Sequence, residues 1–411
     1  MNNKSSSLLF IVLMAFLSMG GLVSSDIFLP ALNKMGNYYH VSESSIQSAI
    51  AIFLFGIAFS QLIYGPLSDC LGRKTILISG MIIWLISTIG IFYSTHISEL
   101  LLLRLFQGVG ACAGITLSRA IINDLMGKEE AANLYLIIFP FVGMSPAVAP
   151  MIGGVLSEYY GWKACFLFLT LFITATLILC LLVLKESLPV KKRQKLSVKN
   201  VLVSTYQVII NKEFLFYAAI PCFAYTAYFS YLIESPFILT AMGLPEKYVG
   251  YTYIMLSLSY VLGNLTAKKL SRQQGMRKTI SHGYLIFAVG GIAFTIQMFF
   301  SSYPLITSVL TISVLTFGNG FLLPLGTASA IATHSQAAGT ASGVMGTLQL
   351  GSAGLASLLI GYISHHEPIK VASIITVVSL VGSIIYITGN RGNKEISKKQ
   401  TIETKIGMKN G

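Results

Sequence analysis

The chain has 411 residues, 54% of them hydrophobic and only 10% charged, with a mean hydropathy of +0.73. A soluble domain carries about 25% charged residues, so this composition excludes a water-soluble globule and points to an integral membrane protein. The net charge of +13 raises the question of nucleic acid, which the placement of the charges answers.

Twelve apolar stretches approach the ~20 residues a helix needs to cross a bilayer. In order they are 8–33, 46–67, 75–95, 98–120, 133–157, 163–184, 214–240, 247–267, 281–301, 304–332, 339–363 and 369–389. They are continuous rather than alternating, which excludes a membrane β-barrel. Lys4 before the first stretch imitates a secretory signal, but no small-x-small cleavage site follows, so the stretch reads as a retained first span. The predicted fold is an all-α membrane protein of twelve helices in two pseudo-symmetric six-helix bundles. With the N-terminus inside, about 22 of the 28 Lys and Arg fall on the cytoplasmic side. Lys34, Lys163, Lys247 and Lys370 fall outside, and Arg104 and Arg119 lie within or at the edge of a span. The charge is thus topological: both termini are placed in the cytoplasm of an inner (plasma) membrane protein, and no nucleic-acid partner is expected.

The longest polar segment between spans, residues 185–212, contains Lys191-Lys192-Arg193-Gln194-Lys195 and divides six spans from six. The expected organisation is an N-terminal bundle (1–184), a basic cytoplasmic linker (185–212), a C-terminal bundle (213–390) and a basic, disordered tail (391–411). Transporters built from two repeated halves place their substrate site between them, at the midplane. Traces of a repeat are readable. Asp26 and Pro30 precede Met35-Gly36, as Glu234 and Pro236 precede Met242-Gly243. The short turn Gly65-x-x-x-Asp69-x-x-Gly72-Arg73-Lys74 has a degraded partner at Gly263–Lys269, with Ala267 in the place of Asp69.

A carboxylate in a span is expensive and functional by default. Asp26 can therefore gain a proton on one side of the membrane and lose it on the other, unless it sits in water at the outer rim. Pro30 is compatible with a span that continues past it. Glu234 has three readings: a second proton site, a contact for a cationic cargo group, or a solvated residue near the outer mouth. Tyr225, Tyr228 and Tyr231, spaced by three, read as one helical face that either stacks on cargo or packs. Gln107 reads as a cavity-lining residue or a helix–helix hydrogen bond. Pro146 and Pro150 disrupt the backbone ladder of the fifth span. The glycines of span eleven read as close helix packing.

Together the motifs resemble the major facilitator superfamily, and within it the twelve-span drug:proton antiporters of the Bcr/CflA type. The Gly65–Lys74 turn is similar to the superfamily's loop 2–3 signature. Arg104-Leu105-Phe106-Gln107-Gly108 is similar to its fourth-span R-x-x-Q-G. Gly143-x-x-Pro146-x-x-x-Pro150-x-x-Gly153-Gly154 is similar to the antiporter motif. Asp26-Ile-Phe-Leu-Pro30-Ala31-Leu32 and Ala338–Gly343 resemble subfamily stretches. The resemblance implies a proton-coupled exporter of small amphipathic or aromatic compounds, working by alternating access. Spans one and four then line the cavity, Arg104 pairs with Asp26 in coupling, and Gly65, Asp69, Gly72, Arg73 and Lys74 form a conformational latch. Arg104 as a structural residue held by backbone carbonyls is the alternative reading. A siderophore or metabolite carrier on the same fold is the alternative function, and Glu234 is the departure that supports it.

Cys70, Cys112, Cys165, Cys180 and Cys222 are scattered and read as small apolar residues. His365-His366-Glu367 reads as a solvated loop. No Walker, zinc-protease or nucleophile-elbow motif is present. The expectation is a non-enzyme without catalytic residue, metal or cofactor. It would be driven by the proton gradient and function as a monomer, with lipid, protons and a small molecule as partners.

Overall fold

The computed structural model describes residues 8–193, 198–300, 305–334, 338–364 and 367–407. The first half comprises α1 (Leu8–Asp26), α2 (Leu32–Tyr39), α3 (Glu43–Leu71), α4 (Arg73–Tyr93), α5 (Ile97–Leu125), α6 (Lys128–Tyr160) and α7 (Lys163–Val183). A linker helix, α8 (Val198–Ile209), leads to α9 (Lys212–Ala241), α10 (Glu246–Gln274), α11 (Met276–Phe300), α12 (Leu305–Ala332), α13 (Ala338–Ser364) and α14 (Pro368–Gly407). Counting α1 and α2 as one interrupted span, twelve long helices are present, and no strand occurs among the described residues. Among the described residues, eleven stretches are long and apolar enough to cross a membrane. The expected eighth span is α10, whose 29 residues suffice in length but not in apolarity. It packs against α6 and α12, and this shelters Tyr253 and Ser257, both buried.

Each half packs as its own bundle, through α3 on α5, α4 on α5 and α1 on α6 in the first, and α9, α10 and α11 on α12 in the second. Two seams join the halves, α3 against α13 and α6 against α10. At the second seam a Cβ on Gly250 would stand 2.4 Å from the Pro150 carbonyl, so only glycine permits the two backbones to approach this closely.

The repeat is clearer in the structure than in the sequence, and its register differs from the expected one. His40 (φ 53°) and Gly243 (φ 86°) are left-handed residues at matching ends. Gly72 (φ 102°) and Gly275 (φ 84°) each close a 29-residue helix and donate to a serine carbonyl, Ser68 and Ser271. The members of both pairs are 203 positions apart, as are Glu43 and Glu246 at the helix starts. The partner of Asp69 is therefore Arg272, not Ala267, and the partner of Asp26 is Phe229, not Glu234. Similar residue strings suggested the other register, but the positive-φ turns fix this one, because they set where each helix must stop.

The tail also departs from expectation. The last helix continues to Gly407.

Candidate substrate and coupling site

The first span breaks beside Asp26. Pro30 has no N–H to offer the Asp26 carbonyl, and its ring would clash with it. The chain answers with a turn at Ile27–Phe28 and a 3-10 segment over Leu29–Ala31, closed by Ala31 N–H donating to Phe28 O at 2.9 Å. The span continues past Pro30, as expected, but not as regular α-helix. Asp26 is 2% exposed and its Oδ1 makes no hydrogen bond, so it is not a rim residue in water. The 3-10 segment that follows it packs against α9 and α10 of the second half. Broken membrane helices meeting at a two-half interface are where secondary transporters bind ions and substrates.

Arg104 is fully buried on α5. It donates to two backbone carbonyls, Ala49 O and Ser24 O, both at 3.1 Å, and to Gln107 Oε1. The Phe28 and Phe53 rings cover its two sides, with centroids 4.4 and 4.2 Å away. Gln107 in turn donates to Thr88 Oγ1 at 2.8 Å, and Trp84 Nε1 donates to Ser24 Oγ. Gln107 is thus a helix–helix hydrogen bond, not a free lining group. No Asp26–Arg104 ion pair is among those of the described residues, and Arg104 Nη2 is left without a partner. The guanidinium clamps α1, α3 and α5 together through carbonyls, as in the structural reading of this residue. Ser24, Trp84, Thr88, Phe28 and Phe53 belong to this cluster and carry no sequence signal beyond ordinary span composition.

Glu234 is fully buried on α9 and accepts a hydrogen bond from Gln47 Nε2 on α3 at 3.2 Å. The solvated reading of Glu234 does not hold here. By the repeat register it lies five residues past the Asp26 counterpart, about 7.5 Å nearer the His40 end. Six residues further along α9, Asn33 Nδ2 donates to Thr240 Oγ1 at 2.8 Å. These two bonds tie the halves together at that end. Above them Leu32, Asn33, Asn37, Glu43, Phe237 and Thr240 help line a vestibule of about 350 Å³.

The tyrosine row does not share one face. Three residues turn a helix by 300°, so six residues rotate the side chain by about 120°. Tyr225 and Tyr228 are half-buried and pack on Phe229. Tyr231 points into the second bundle, edge-on to Phe294 at 5.8 Å.

At the opposite end, Arg73 bonds Asp69 Oδ1 at 2.6 Å, Asp124 Oδ2 at 3.0 Å and Ser68 Oγ at 2.6 Å. Its backbone N–H donates to Glu186 Oε1, and Lys74 donates to Leu184 O. The expected latch residues therefore hold α3, α4, α5 and the start of the linker, all in one half. Gly65 has open space around it. Gly72 adopts φ 102°, ψ 146°, and a Cβ there would meet Glu186 and Arg193 at 2.5 and 2.6 Å. Gly72→Ala is expected to destabilise the protein by about 1–3 kcal/mol, the cost of this glycine-only conformation. A thermal melt in detergent reads the loss.

The Gly143–Gly154 motif lies on α6, which is helical throughout Lys128–Tyr160. Pro150 contributes to the α10 seam. Gly153 faces the break in α1, where a Cβ would overlap the Ile27 carbonyl. Gly143 has nothing within 4 Å, Pro146 is half-buried and Gly154 is buried. Among the described residues no group of His, Cys, Asp and Glu is gathered as a metal site. His365 and His366 lie outside the described residues, as do Gln194 and Lys195.

The family profile described as Major Facilitator Superfamily matches residues 8–357. The chain belongs to the major facilitator superfamily. Such proteins are carriers rather than enzymes. Among relatives of this major facilitator, the uncharacterized MFS-type transporter YdgK of Bacillus subtilis is 26% identical over 91% of this chain and 93% of its own. The bicyclomycin resistance protein homolog of Haemophilus influenzae is 24% identical, over 85% and 88%. Multidrug resistance protein D of Escherichia coli is 26% identical, over 82% and 85%. The fold is similar to that of the Escherichia coli xylose transporter XylE in a partially occluded inward-open conformation. The TM-score is 0.73 at 12% identity, covering 94% of this chain and 98% of that one.

Proposed function

We propose that this major facilitator is a proton-coupled exporter of small amphipathic or aromatic compounds, working by alternating access in the inner membrane as a monomer. One observation carries the reading: Asp26 is a buried carboxyl at the break of the first span, with an unpartnered oxygen, between the two halves. Such a group is costly in a membrane and is retained where it exchanges a proton. The relatives named for drug resistance support the cargo class.

The Arg73 and Lys74 end is assigned to the cytoplasm by its basic residues, and the His40 end to the outside. The Gln47–Glu234 and Asn33–Thr240 bonds then close the outer side, and cargo loads from within. Tyr225 and Tyr228 offer ring faces and hydroxyls to it. Asp26 gives up its proton to the inside as cargo binds and regains one from the outside after cargo leaves. Arg104 acts on this cycle indirectly, by holding the Ser24 turn from which Asp26 projects.

The test is proton movement in proteoliposomes with an acidic lumen and a pH-sensitive dye inside. Adding bicyclomycin or a planar aromatic cation outside is expected to raise the lumenal pH as drug and proton exchange. A pH change evoked by sugars or nucleosides but not by drugs would overturn the assignment. A further expectation concerns the closed end. Paired Asn33→Cys and Thr240→Cys substitutions should crosslink under oxidant, stop transport and recover it on reduction.

A further inference from the structure

The linker helix α8 has two apolar sides, and the bundles explain only one. Val208 is 1% exposed, and Val201, Ser204 and Thr205 are half-buried where the helix packs on α9 and α13. Leu202, Val203, Tyr206, Ile209 and Ile210 are exposed, Tyr206 by 65%. At 100° per residue these five cover a stripe about 120° wide, away from the packed side. A segment between spans has no reason to show water such a stripe.

The charges around it say what covers it. Residues 187–212 carry Lys191, Lys192, Arg193, Lys195, Lys199 and Lys212 and no Asp or Glu. Lys191, Lys199 and Lys212 are exposed. The helix also lies at the membrane edge by connectivity. It follows α7, a candidate span that ends at Val183, and only Ile210 and Asn211 separate it from α9, which starts at Lys212. An exposed apolar stripe, a basic flank and a position at the ends of two spans are the marks of a helix lying in the interface plane. A leaflet rich in anionic lipid attracts basic segments of this kind.

We propose that α8 is an interfacial anchor, with the Leu202–Ile210 stripe seated in the leaflet and Lys191 and Lys199 binding anionic lipid headgroups. This does not depend on the cargo or on proton coupling, so its success or failure leaves the transport reading untouched. It would make the joint between the halves sensitive to the lipid beneath it.

The experiment uses the full chain in vesicles. Trp84 and Trp162 are buried and give a constant background against which Tyr206→Trp and Gln207→Trp report. Tyr206→Trp is expected to be quenched by brominated phosphatidylglycerol more than by brominated phosphatidylcholine. Gln207→Trp, at the border of the stripe, should respond to aqueous iodide instead. Adding Lys191→Gln and Lys199→Gln should cut the preference for the anionic lipid by roughly fivefold per lysine. Equal quenching by the two lipids overturns the anionic recognition. Quenching of Tyr206→Trp by iodide and by neither lipid overturns the anchor.

Discussion

Asp26→Asn is expected to reduce drug-evoked proton movement to the level of protein-free vesicles while the protein folds and still binds cargo. Asparagine is nearly isosteric, so the site beside the α1 break stays filled. Removing a buried carboxyl whose Oδ1 has no hydrogen bond forfeits little packing, and the melt should shift by less than about 1 kcal/mol. Loss of coupling without loss of fold would therefore be attributable to the proton. Full gradient-driven transport by this variant would remove Asp26 from the mechanism. Arg104→Lys supplies the contrast. A lysine cannot reproduce the planar fork that reaches Ala49 O, Ser24 O and Gln107 Oε1. Each hydrogen bond to a charged group is worth about 1.5–3 kcal/mol, so this variant should lose stability together with transport.

Gly153→Ala is expected to be the most damaging small substitution in the fifth span. The added carbon would overlap the Ile27 carbonyl, which is backbone and cannot swing aside. Either α6 moves away or the break of α1 is remade, at about 3 kcal/mol or more, the upper range for overpacking. Because Ile27 follows Asp26, the displacement also reaches the proposed coupling carboxyl. Gly143→Ala, ten residues earlier in the same motif, adds a methyl to open space and should be neutral or slightly stabilising through helix propensity. Melting temperature and transport rate measured on the two variants test the pair. Equal effects would show that the motif acts through something other than this contact.

Much of the fold was legible because a span needs only length and apolarity, and eleven stretches satisfy both. The remaining one, α10, shows the limit: a helix sheltered by neighbours on two sides tolerates more polarity than the criterion allows. Asp26 could be singled out as a buried carboxyl because an acid in a span is conspicuous. The clamp on Arg104 could not be read, because its acceptors are the carbonyls of Ser24 and Ala49, and a backbone carbonyl leaves no trace in residue type. Tyr231 was assigned to the wrong face because a spacing of three drifts by 60° at each step. Glu234 was matched to Asp26 through similar strings, whereas the register is fixed by His40, Gly72, Gly243 and Gly275, single residues whose dihedral angles are not written in the sequence.

In the proposed cycle the His40 end is the closed one. The hydrogen bonds from Gln47 to Glu234 and from Asn33 to Thr240 cross between the halves there. At about 0.5–1.5 kcal/mol net each, they contribute about 1–3 kcal/mol, or a shift of roughly 5- to 150-fold in the populations of the two states. A micromolar ligand binds with about 8 kcal/mol. A cargo needs to discriminate between the two states by only a fraction of that to tip the balance. On the export reading proposed above, bonds of this size would leave room for many cargoes, since none would have to fit tightly to break them.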